Sequence, residues 1–343
     1  MKFDRDTLRG LLGVFVAILI IAGIDLVKPG ISSSPDFECG DTQSQEVLID
    51  VSEGESGSSI ASELFASEVV KSSSAFFKVA VSDPRASSIA PGIHRIQKNL
   101  CAVEALEQLL DRSRIENLIS IPEGAWNSEV FARLKQLGHT DAEIKQAAQS
   151  VSLPKGFTSL EGLLFPAQYS FDSSTSLVSI FSSMVTRAQS EMAKAGFSAT
   201  SEKISKRDLL IIASLVQAEG DSQDYPKISQ VVRNRLKIRM PLQFDSTVHY
   251  IKGSRGSVFL STQSTLINSP FNTYRRNGLP PTPINNPGAE ALYAASHPQS
   301  GAWLYFITVA PGDTRFTDSY KQFSEWKVLY KKNLRAGKFG SGK

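Results

Sequence analysis

The sequence predicts a mixed α+β chain with a single N-terminal apolar helix, a small βααβ unit and a larger α+β domain. Three observations carry this reading. An uncharged run opens the chain, a strand–turn–helix pattern occurs twice at a fixed offset, and the second half alternates long apolar-periodic stretches with Pro/Asn/Gly-rich loops.

The apolar run extends from Gly10 to Ile24 behind Lys2, Arg5 and Arg9. Counted from Leu11 to Val27 it makes about 25 Å of helix, slightly short of a hydrocarbon core of roughly 30 Å. Arg9 and Lys28 can snorkel outward to close the difference. The stretch "IIAGIDLVKPG" offers no clear small-x-small cleavage site, which favours an uncleaved anchor over a removed signal peptide. The excess of basic residues before the run makes 1–9 a cytoplasmic tail, 10–27 a single-pass transmembrane anchor, and the remainder extracytoplasmic. Residues 28–45, "KPGISSSPDFECGDTQSQ", are polar and aperiodic and read as a linker. Cys39 and Cys101 then face an oxidising compartment, where one disulfide and two free thiols are both open; a bridge closing such a loop stabilises by about 4 kcal/mol on the chain-entropy model.

The repeat is gapless. "LIDVSEGESGSSIASEL", 48–64, aligns on "LISIPEGAWNSEVFARL", 118–134, at an offset of 70. Each copy reads as a short strand, a Glu-Gly turn and an amphipathic helix. The first continues through a helix "SSAFFKVAVS", a strand "GIHRIQ" and a helix "AVEALEQLLDR", giving a unit at 46–115. The second, with the helix in "HTDAEIKQAAQS", opens a domain at 116–334.

In that domain "SLVSIFSSMVTRAQSEMAKAGF" is a core-facing helix. "SEKISKRDLLIIASLVQAEG" follows, with Ser205 or Asp208 as N-cap. Leu209 to Val216 are apolar or small on every face, the signature of a buried helix. "YPKISQVVRNRLKIRM" places Ile228, Val231, Val232 and Leu236 inward. "LQFDSTVHY", 242–250, and "SPFNTYRRNGLPPTPINNPG", 269–288, read as loops dense in amides, hydroxyls and rings. A helix "GAEALYAASH", strands "WLYFITVA" and "TRFTD", and a helix "YKQFSEWKVLYKKNL" complete the domain, before a disordered tail at 335–343.

A formal charge of +3 and dispersed Lys and Arg exclude a nucleic-acid footprint, and four scattered histidines with two cysteines make no metal-ligand spacing. No nucleic acid, metal or cofactor is expected. His249 follows Asp245 by four residues, a spacing that favours local structure over catalysis.

Glu219 is the residue that asks for an explanation. A carboxylate at the C-terminal end of a buried helix meets an unfavourable dipole field and partial desolvation. Either it is surface-exposed and paired, or its pKa is raised for chemistry near neutral pH, which for a shift to about 6 costs about 2.3 kcal/mol.

From here the chain resembles the membrane-anchored endolytic murein transglycosylases, the MltG or YceG-like family. "ASLVQAEG" is similar to that family's catalytic helix, "RLKIRMPLQFDSTVHY" to its RL…LQ-x-D-x-T-V-x-Y stretch, and "SPFNTYRRNGLPPTPINNPG" to its S-P-Y-N-T-Y…G-L-P-P-x-P-I-x-N-P-G stretch. "ALYAASHPQSGAWLYF" matches a further block, and the likeness covers roughly 46–330. Departures are Leu163 and Ala167 where the family pattern has Tyr and Asp, Phe271 for Tyr, and no histidine in "TRFTDSYKQF".

The resemblance implies a LysM-like unit at 46–115 and a catalytic domain at 116–334 of a peptidoglycan lytic transglycosylase, a lyase of cell wall biogenesis at the cell membrane. Glu219 would act as acid and then base on the MurNAc–GlcNAc bond of nascent peptidoglycan strands, leaving 1,6-anhydroMurNAc ends. Gln243, Asp245, Asn272 and Tyr274 would bind and orient the strand. Partners implied are the glycan strands, the membrane, and peptidoglycan synthases of the elongation or division machinery. Two rivals stay open: a two-carboxylate peptidoglycan hydrolase using Asp245, and a non-catalytic wall-binding division scaffold.

Overall fold

A computed structural model describes residues 34–40, 45–197, 204–255 and 261–339. The anchor expected at 10–27 lies outside the described residues, and among those residues no helix is long and apolar enough to cross a membrane. The chain is mixed α and antiparallel β, and it divides into two compact units after Glu116.

The first unit is built on β1 (Glu46–Val51) paired antiparallel with β2 (Gly92–Gln97), Ile49 opposite His94. Period-2 alternation buries Ile49 and Val51 and leaves Leu48 outside. Between the strands run α1 (Gly57–Ala66) and α2 (Ser73–Ser82), and after them comes α3 (Ala102–Leu110). Ser56 and Ser72 cap α1 and α2, each accepting at 3.2 Å from the N–H three residues on. Leu64, Phe76, Ile96, Leu100 and Leu106 close the core. Cys39 and Cys101 form a disulfide across 62 residues, which settles the pairing the sequence leaves open.

The second unit opens on β3 (Ile119–Ser120), which pairs antiparallel with β4 (Gln168–Tyr169). The strand expected in the second repeat copy thus shrinks to two residues, because its partner supplies no more. Around it lie α4 (Asn127–Gln136), α5 (Asp141–Ser150) and α6 (Leu177–Lys194). At the centre is α7 (Lys206–Glu219), whose residues 209–216 are all buried. Ser205 is its N-cap, accepting from the Asp208 N–H at 3.1 Å. Packed on α7 are α8 (Tyr225–Lys237), α9 (Asp245–Lys252) and α10 (Ala289–Ser296). A hairpin of β5 (Tyr305–Ala310) and β6 (Asp313–Thr317) carries α11 (Tyr320–Arg335). Phe339 packs on Tyr330, so the chain stays ordered past the expected end at 334.

One loop of the sequence reading is corrected. The C-terminal half of "LQFDSTVHY" is α9, not a loop. Asp245 in its first turn complements the helix dipole, Thr247 and Val248 are buried, and Gly253 ends it in the left-handed region at φ 62°. A short helix with a polar N-terminus looks like a turn when only composition is read.

Candidate active site

Helix α7 ends by delivering Glu219 into a cavity of about 380 Å³. Gly220 follows in an extended conformation, and a Cβ there would come within 2.4 Å of Ile228 Cδ1, so the chain leaves the helix pressed against α8. The N-terminus of α9 forms one wall. Ser246 Oγ donates to Glu219 Oε1 at 2.5 Å, and the neighbouring Asp245 accepts a hydrogen bond from the Tyr274 hydroxyl.

Burial pushes the Glu219 carboxyl up to about 7, and the charge of Asp245 adds to the rise; the Ser246 hydrogen bond and the charge of Arg235 oppose it. Arg235 does not lock the acid, because its guanidinium donates to the main-chain carbonyls of Leu304 and Leu242. Burial and the Asp245 carboxylate also hold the Tyr274 phenol protonated, well above its ordinary range.

The opposite wall is the Glu-Gly turn of the second repeat copy, with Glu123, Gly124 and Trp126 facing the cavity. Asn286 fastens it. Its N–H donates to Ala125 O at 2.9 Å, its carbonyl accepts from Gly124 N–H at 2.8 Å, and its side-chain Oδ1 accepts from Leu164 N–H at 2.8 Å. Behind Trp126 lies Tyr250, edge-on at 5.8 Å, itself 5.3 Å from Phe271.

Tyr250 also reaches a second unusual acid. Its hydroxyl donates at 3.1 Å to Glu161 Oε2, while Oε1 accepts at 3.0 Å from the N–H of Asn127, the first residue of α4. Burial raises this carboxyl to about 7 as well, against the pull of both hydrogen bonds. The next residue, Gly162, needs to be glycine: its φ is +88°, and a Cβ would lie 2.6 Å from Pro283 Cγ.

Of the residues predicted for the site, the structure brings Glu219, Asp245 and Tyr274 together. Asn272 is fully buried instead, donating to Thr265 O at 3.0 Å and Ile267 O at 2.7 Å and accepting from Tyr274 N–H at 3.0 Å. Its amide shapes the loop that presents Tyr274. Gln243 is exposed and does not line the cavity; its left-handed backbone, φ 53°, donates to Thr273 O at 3.0 Å. Sequence reasoning missed Ser246, Trp126, Arg255 and Glu161. Trp126 had a signal, since the repeat alignment sets it against the N-cap Ser56; Arg255 had none.

A larger cavity of about 560 Å³ opens between α6, α8 and α10. Volume does not select it over the smaller one, because the smaller one contains Glu219, a carboxyl raised towards neutrality. Among the described residues one group, Cys39, Cys101 and Glu104, lies close enough to hold a metal, and both its sulfurs are committed to the disulfide.

The model of the YceG-like family matches residues 49–327. An endolytic murein transglycosylase of Bacillus subtilis (strain 168) is 31% identical over 306 residues, 83% of this chain and 84% of that protein. A Streptococcus pneumoniae protein of the same description is 33% identical over 153 residues, which span 43% of this chain and only 28% of the relative. A crystal structure of a yceG-like protein from Listeria monocytogenes superposes with a TM-score of 0.55 at 24% identity, covering 82% of this chain and 99% of that one, a likeness of fold.

Proposed function

The chain belongs to the YceG-like family, and from that premise we propose that it is a peptidoglycan lytic transglycosylase that works through a single carboxyl, Glu219. The observation that carries the reading is that carboxyl, raised to about 7 and oriented by Ser246 in an open cavity. A group of this kind is protonated often enough at neutral pH to donate and basic enough to accept.

Protonated Glu219 donates to the glycosidic oxygen between N-acetylmuramic acid and N-acetylglucosamine as the C1–O bond breaks. The C6 hydroxyl of the same muramyl ring then closes on C1, and its proton passes to the Glu219 carboxylate, which restores the acid. The product is a 1,6-anhydro end, and no water is consumed. Asp245 is held by Tyr274 on the same wall as Glu219 and raises the acid's pKa. That electrostatic part suits it better than that of a second, water-activating carboxylate.

The cellular setting is part of the proposal. Residues 10–27 anchor the chain in the cell membrane, with the N-terminus cytoplasmic and both compact units outside, next to peptidoglycan synthases of elongation or division. The Cys39–Cys101 bridge supports an oxidising compartment.

The test is digestion of purified glycan strands by detergent-solubilised full-length protein, with the new ends weighed. Wild type is expected to leave anhydro ends, and Glu219→Gln to lose at least about 10²-fold in rate while remaining folded. Ends heavier by one water reveal a hydrolase. Unchanged binding with no cleavage by either protein supports a wall-binding scaffold.

A further inference from the structure

The Glu219 cavity does not end at the Glu-Gly turn. A second cavity, about 420 Å³, runs along α4 and shares two lining residues with the first, Glu123 and Arg255. Arg255 stands at the junction. Its guanidinium packs 4.2 Å from the Trp126 ring centroid, donates to Gly124 O at 2.6 Å, and bonds Glu129 at 2.9 and 3.0 Å. Those contacts fix the ridge over which the two cavities join.

Beyond the ridge the outer groove is lined by Glu129, Arg133 and Gln136, which fall at i, i+4 and i+7 and so share one face of α4, with Ala132 as a small neighbour. Its charges cancel, Glu123 and Glu129 against Arg133 and Arg255. A groove without net charge, rich in donors and acceptors, matches the hydroxyls and acetamido groups of a sugar backbone better than the carboxylates of an acidic peptide.

We propose that this outer groove is a second glycan subsite, binding the neutral sugar backbone of the strand beyond the residues held at Glu219, with Arg133 and Gln136 as its own contacts. The assignment rests on the transglycosylase reading and adds to it a dependence on strand length. A strand too short to cross the ridge uses the inner cavity alone.

The experiment compares full-length wild type with the double variant Arg133→Ala/Gln136→Ala on peptide-free strands of graded length. On strands long enough to cross the ridge the variant is expected to lose about tenfold in kcat/KM, carried by KM, and on the shortest cleavable strand less than about twofold. Retained cleavage of the shortest strand also shows that the variant is folded. An equal loss at all lengths, no loss at any length, or a loss seen only when stem peptides are present overturns the assignment. A wild type that produces no anhydro ends at any length overturns the activity itself, a result distinct from a wild type that cleaves and a variant that keeps its length preference.

Discussion

The two repeat copies begin with one local code and finish in different roles. In the first, Ser56 closes the N-terminus of α1 with its hydroxyl, and Glu55 turns back to accept from Ser52 N–H at 2.8 Å and Ser59 Oγ at 2.6 Å. The turn satisfies itself, and six strand pairs and a disulfide hold the surrounding unit. In the second copy the aligned position is Trp126, an indole that cannot accept the α4 N–H groups. Glu129 accepts from Trp126 N–H at 2.7 Å instead, and the turn is fastened from outside by Asn286 and Arg255. The difference teaches that a capping side chain worth about 1 kcal/mol was exchanged for a ring facing a cavity, with stability drawn from distant loops.

The comparison can be broken or sharpened, beginning where the expected effect is largest. Cys101→Ser should cost the first unit about 4 kcal/mol, since its cross-link spans a long loop, and leave the second unit unchanged. Hydrogen exchange read separately over residues 46–116 and 117–335 tests this; equal loss in both contradicts it.

Glu161→Gln should act on the second unit alone, and through pH. The folded carboxyl sits at about 7 against an ordinary value of 4.5, so the native state binds the extra proton. Its stability is fully present below about 4.5 and lost as pH rises through about 7, a swing of about 3 kcal/mol. Denaturant unfolding at pH 5 and pH 8 should show a swing in wild type to which Glu219, also raised to about 7, contributes, and the variant should reduce it by the Glu161 share of about 3 kcal/mol.

Trp126→Ser makes the second copy match the first at this position. It should restore a cap worth about 1 kcal/mol, lose the ring contacts to Arg255 and Tyr250 and so leave the fold somewhat less stable, and lower kcat/KM by about tenfold. A variant cleaving strands at the wild-type rate would remove Trp126 from the cleft's function.

The smallest effects are opposite shifts of one pH limb. Protonated Glu219 is needed for the first step, so kcat/KM should fall as pH rises through about 7. Ser246→Ala removes a bond that favours the carboxylate and moves the limb to higher pH; Asp245→Asn removes a repelling charge and moves it lower. Loss of all activity in Asp245→Asn would instead favour the two-carboxylate hydrolase.

Much of this was legible in the chain. Leu209 to Val216 announce a buried helix because no face of it is polar, and the end of that helix carries Glu219 into the cavity where desolvation of its own carboxyl raises it. Both repeat copies are readable because strand, turn and helix signals are local. The remainder depends on contacts far apart in sequence. Asn272 carries the chemistry of a sugar ligand but spends its amide on its own loop, and nothing near Arg255 tells that it will meet Gly124 and Glu129. Glu161 lies within a recognisable pattern, yet only the packed structure shows its burial and its Tyr250 partner.

Asn286 has a consequence for the order of events during biosynthesis. It joins segments 122 and 161 residues away, contacts that no chain ending before residue 286 possesses. Until residue 286 has left the ribosome, the polypeptide carries an acid whose facing wall lacks its fastening. The site is therefore completed late, after most of the chain has already been made.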